Sequence, residues 1–113
     1  MTVQEIRDRI LASVAMLTEE EIPTGCQGQG LCFEIDGHPR YPRFQYNVEQ
    51  GCMLPVMTDI LELQPDDWSD LRVLEWLTRP HLDFGCAPCD ALADLPREVL
   101  AAFKREIVPP THG

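Results

Sequence analysis

The chain has 113 residues, 44% of them hydrophobic, and a formal net charge of −10. That is the size of one domain with a modest core, and too apolar for a disordered segment. Nineteen acidic side chains against nine Lys and Arg argue against nucleic acid as a partner of the isolated chain, because phosphate backbones are held through basic residues. A basic protein surface suits this charge better. Apolar runs such as 53–57 reach only about five residues, far short of the ~20 that span a membrane. No basic stretch followed by an apolar one opens the chain, so a cytoplasmic protein is expected. Five cysteines in that setting read as reduced thiols, with at least one unpaired, and not as a disulfide framework.

Val3, Ile6, Ile10, Val14 and Leu17 recur at three- and four-residue steps, which predicts a helix over 2–17. Thr18 before three glutamates looks like the cap of a short further turn that Pro23 stops. Residues 24–30, with three glycines, have no periodicity and read as a loop. Residues 31–35 read as a strand and Asp36-Gly37 as a hairpin turn. The return strand is expected over 40–46, and Pro39 and Pro42 mark it as an edge or irregular strand. Leu54, Met57, Ile60 and Leu61 make the next helical stripe, with Pro55 in its first turn and Pro65 beyond its end. Asp66 or Asp67 is expected to cap a helix over 67–78. Trp68, Leu71, Leu74 and Leu77 form its buried face, widened by Val73 and Trp76, so it should be the central helix. Pro88 opens a short helix to about Asp94. Pro96 opens the last, on which Val99, Leu100, Phe103 and Ile107 align. Pro109-Pro110 should end the structure and 111–113 should fray. The fold class is therefore mainly α, a small helical domain with one short β-hairpin.

No catalytic constellation emerges, and no enzyme is expected. Ser13 and Ser69 fall in helical patterns and not in a nucleophile elbow. The glycines of 25–30 do not follow a strand as a phosphate loop would. Asp66, Asp67 and Asp70 are explained by their place at a helix start. Cys86-Ala87-Pro88-Cys89 has redox spacing, but a thioredoxin-like fold needs strands on both sides, and the 24 residues after Cys89 pattern as helix. The cysteines and histidines supply one close pair, where structural zinc sites usually show two. Neither a metal nor a cofactor is expected.

The order Tyr41-Pro42-Arg43-Phe44-Gln45-Tyr46, then Trp76-Leu77, then Gly85-Cys86-Ala87-Pro88 through Leu92 resembles the toxin-binding domain of Xre/MbcA/ParS antitoxins. The resemblance covers 41–107 and rests on order and spacing, since each piece alone recurs by chance. It implies two parts. Residues 1–46 would be an N-terminal helix and wing-like hairpin, the eroded remnant of a DNA-binding helix-turn-helix half. Residues 47–113 would be the helical toxin-binding domain. It also implies a function: neutralising a co-encoded toxin enzyme, commonly a RES-type consumer of NAD, by covering its active site. Cys89 takes the place of an apolar core residue in that pattern.

The loop 79–85 precedes the best-matching turn, and loops on rigid scaffolds concentrate binding residues. Arg79, His81, Asp83, Phe84 and Gly85 are therefore the candidate partner-binding residues, with Val108 and the tail beyond it. Arg79 suits a carboxylate, to which its guanidinium offers paired hydrogen bonds. Trp68 and Trp76 are assigned to the core. Two other readings stay open at this point. One is a small DNA-binding regulator using Arg40 and Arg43 in an oligomer; the other is a cysteine-based metal or redox protein. A homodimer is also left open.

Overall fold

The computed structural model describes residues 2–26 and 28–108. The expected stop at Pro109-Pro110 and the tail 111–113 lie outside the described residues. Among those described, the order is α1 (Val3–Ala12), β1 (Met16–Leu17), β2 (Phe33–Ile35), β3 (His38–Pro42), a 3-10 turn (Arg43–Gln45), β4 (Tyr46–Asn47), β5 (Cys52–Met53), α2 (Pro55–Leu63), α3 (Asp70–Thr78), α4 (Pro88–Ala91) and α5 (Pro96–Ile107). The domain is 44% helical with 15% in short antiparallel strands, so the strand content exceeds the single hairpin expected.

Local chemistry explains most helix boundaries. Thr2 caps α1, its side chain accepting from the Glu5 N–H at 3.1 Å. Pro55 and Pro96 open α2 and α5, where a missing N–H costs nothing. Ser69, and not Asp66 or Asp67, caps α3 by accepting from the Arg72 N–H. The helix therefore starts at Asp70, later than expected. Pro80 ends it, because the residue before a proline is pushed out of the α region, and Arg79 is extended with ψ 131°.

The N-terminal helix is shorter than its apolar period. It stops at Ala12, with the Ser13 hydroxyl and N–H both turned to the Ile10 carbonyl. Residues 16–17 instead pair with β3, as Met16 with Pro42 and Leu17 with Tyr41, and the Arg43 N–H donates to the Ala15 carbonyl at 2.9 Å. Strand pairing here displaces helix continuation. The predicted stripe also fails at its start, where Val3 is 81% and Ile6 42% exposed, while off-stripe Leu11 is buried.

Asp36-Gly37 does form the turn between β2 and β3, with φ of 54° and 80°. The strand after it is not an edge. The sheet order is β1-β3-β2, and β3 is central. Its two prolines are tolerated because alternate residues of an antiparallel strand address opposite neighbours. Arg43 bonds toward β1, so by alternation Pro39 faces that side and Pro42 faces β2. β1 reaches only to the partner of Tyr41, and β2 only to the partner of Arg40. Each proline thus points where its flanking strand has already ended, and no ladder bond is lost. A second two-stranded ladder, β4 with β5, spans 46–53, which the sequence pattern did not predict.

The main core joins both halves of the chain. Leu11, Leu31 and Phe33 share one buried cluster with Met57, Ile60, Leu74, Leu77, Val99 and Phe103. The division expected at 46/47 accordingly falls inside the β4–β5 ladder and across a common core. Trp68 and Trp76 are both buried and meet Phe103 edge-on, at centroid distances of 5.7 and 5.2 Å. A smaller cluster, Ile22 with Cys26, Tyr41 and Tyr46, lies under the first loop. Residues 13–54 hold no α-helix among those described, so none follows α1 in the chain at the short spacing of a helix-turn-helix.

Candidate interaction site

The Gln45 of the Tyr41–Tyr46 motif faces inward. The 3-10 turn buries it completely, and its amide makes a two-point contact with one residue. Its Oε1 accepts from the Leu31 N–H at 2.8 Å, and its Nε2 donates to the Leu31 carbonyl at 2.9 Å. The side chain thereby replaces the strand partner that Leu31 lacks, satisfying two buried backbone groups at once. Nε2 lies 3.2 Å from the Tyr46 hydroxyl, and that hydroxyl donates to the Gln29 carbonyl. Burial pushes the Tyr46 phenol up to about 12. Gly30 sits against this contact with φ +83°, and a Cβ there would fall 2.6 Å from Gln45 Oε1. The motif is structural: it holds the 24–31 loop to the sheet.

The 79–85 loop is exposed yet internally restrained. Its ends are joined by the His81 N–H donating to the Cys86 carbonyl at 3.0 Å. The Phe84 and Gly85 N–H groups both return to the His81 carbonyl, at 3.2 and 3.0 Å, and the tight reversal uses Gly85 at φ +69°. The Asp83 N–H donates to His81 Nδ1 at 3.2 Å. The His81 ring is 4.9 Å from Phe84 and 6.0 Å from Trp76, which seats the turn on the core. From α5, the Arg105 guanidinium donates to the Asp83 carboxylate.

The candidate residues therefore have different roles. His81, Phe84 and Gly85 build the turn, and Phe84 is half-buried against the core. Arg79 and Asp83 are exposed, but each already has an ion-pair partner: Glu75 for Arg79, Arg105 for Asp83. Val108, 57% exposed, directly follows α5, whose last turn carries the Arg105 that ties it to the loop. The residue missed by sequence is Leu82. It stands fully exposed at the tip of the turn. Its signal was present, as the one aliphatic side chain between Pro80 and Phe84. Arg105 had none, because its partner is distant in sequence.

Two other features bear on chemistry. An open groove of about 730 Å³ is lined by Arg43, Phe44, Val48, Leu54, Cys89 and Asp90 among others. It borders the turn at Thr78 and Ala87 without including any of 79–86. In that groove burial, and then the neighbouring Asp90, push the Cys89 thiol up to about 11. Cys89 thus stays protonated at neutral pH and is a poor attacking nucleophile, since the thiolate is the reactive form. Among the described residues no three His, Cys, Asp or Glu side chains gather as a metal site requires. No helix among them is long and apolar enough to cross a membrane. Comparison with family models, with curated proteins and with solved structures gave no match.

Proposed function

We propose that this chain is an antitoxin-like binding protein without chemistry of its own. In this reading it seats the 79–85 turn and the end of α5 on a toxin enzyme, of the RES-type NAD-consuming kind that the motif order suggests, and covers that enzyme's active site. The observation that carries it is Leu82, fully exposed on a turn held by the contacts above. A lone exposed leucine is ordinary on a protein surface. One displayed on a pre-ordered turn is better placed to bind, because little further ordering entropy is lost on docking. The flanking ion pairs at Arg79 and Asp83 are solvent-exposed, so exchanging them for contacts with a partner costs little. The net charge of −10 favours fast encounter with a basic surface.

The test is co-expression with the product of the adjacent reading frame, scoring growth and co-purification. The parent protein should restore growth, and Leu82→Asp should fail to do so while melting as the parent does. A neighbour that is neither bound nor made less toxic by the parent refutes the proposal. Full protection by Leu82→Asp would move the contact surface off this turn.

A further inference from the structure

The acceptor that fixes the Leu82 tip is a titratable nitrogen. The Asp83 N–H donates to His81 Nδ1 at 3.2 Å, which requires that nitrogen to be unprotonated, with the ring proton on Nε2. Once Nδ1 carries a proton it is itself a donor, and this bond cannot persist. The Asp83 carboxylate, whose Oδ2 is 3.9 Å from Nδ1, is then the nearest acceptor in the turn. That same oxygen already accepts from Arg105 on α5. Protonation therefore removes the restraint on the backbone at Asp83 and sets a second donor against the carboxylate oxygen that Arg105 already engages.

We propose that His81 is a proton-operated latch on the 81–86 turn, holding the Leu82 tip in its present place only while the imidazole is neutral. The charged groups around it are few. Its own turn contributes Asp83 and the Cys86 thiol; α5 contributes Arg105 through Asp83; the end of α3 carries the Glu75–Arg79 pair. The ring faces that pack on it, Trp76 and Phe84, do not titrate and keep it seated in both states. With a side chain 29% exposed, the imidazole is open to exchange protons with solvent. Any effect on partner binding rests on the role proposed above for the turn, whereas the latch itself does not.

The test is amide and imidazole NMR of the full chain from pH 8 to 5, the range in which imidazoles ordinarily titrate. The Asp83 and Gly85 amide signals should move with the same midpoint as the His81 ring proton. Asp83 amide exchange, corrected for its intrinsic pH dependence, should speed up on the order of fivefold, as loss of one hydrogen bond implies. His81→Asn supplies a side-chain carbonyl that accepts from the N–H two residues on and does not titrate; in it the Asp83 signal should stay still. An Asp83 amide that keeps its position and protection while the parent's His81 ring titrates overturns the latch. So does an equal movement in His81→Asn, which would assign the titration to another group.

Discussion

Replacing Gln45 with Met keeps the side chain's length and removes its polar end. Two backbone groups of Leu31, a residue only 1% exposed, then lose the partners they hold at 2.8 and 2.9 Å. An unsatisfied buried N–H or carbonyl costs about 1–3 kcal/mol, so the pair costs roughly 2–6 kcal/mol. Burying an apolar thioether in place of an amide returns about 1–2 kcal/mol. The midpoints of the two ranges leave a net loss of about 2.5 kcal/mol, a large share of the roughly 5–15 kcal/mol that holds a domain together. In a chain of this size it should lower Tm by about 10 °C or more. Thermal and urea unfolding followed by tryptophan fluorescence measure it, with amide exchange at Leu31 as the local reporter. Gln45→Glu separates hydrogen bonding from shape. Its one ionised oxygen can accept from the Leu31 N–H, but the other meets the Leu31 carbonyl, acceptor against acceptor. The buried acid is thereby held protonated, its folded pKa raised above the unfolded value. The variant should lie nearest the parent below about pH 4.3 and lose stability as pH rises above it. A Gln45→Met protein that melts within 2–3 °C of the parent, roughly 0.5 kcal/mol, would refute the two-point contact.

Gly30→Ala should destabilise more than Gly37→Ala, although both positions have φ near +80°. The Cβ at 37 meets open space and pays only the left-handed strain of about 1–2 kcal/mol, whereas the one at 30 also strikes Gln45 Oε1; equal losses in urea unfolding would deny that contact. Alkaline unfolding should begin near pH 10, because the folded Tyr46 phenol, at about 12, holds its proton beyond the unfolded value of 10. Its contribution is present below pH 10 and is lost between about 10 and 12. Tyr46→Phe should flatten the stability curve in that window, and an unchanged slope would contradict the assignment.

The link between Gln45 and the motif alters what the resemblance means. Tyr41, Gln45 and Tyr46 are all buried in this fold, so that part of the motif reports on packing, and the proposed function has to draw its contact surface from elsewhere. Proline and leucine chemistry at 80–86 supplies the candidate, and it does so through backbone geometry that no local pattern encodes.

What the sequence by itself determined is what nearest neighbours decide. Thr2, Pro55 and Pro96 start helices, Pro80 stops one, and Asp36-Gly37 reverses the chain, because each acts on dihedral angles or hydrogen bonds within a few residues. The apolar face of 68–77 was legible for the same reason, and both tryptophans are in the core. Tertiary structure decided the remainder. Residues 14–17 had a helical period, but Ala15 found a backbone partner in Arg43 and Leu17 one on β3, and the helix ended at Ala12. The prolines of β3 marked an edge until the lengths of its neighbours made their positions harmless. Leu82 stands exposed because Arg105, His81 and Cys86 close the turn beneath it. Pairing partners far apart in the chain compete with local preference at comparable strength, about 1 kcal/mol per hydrogen bond, and only the assembled fold determines which of them meet.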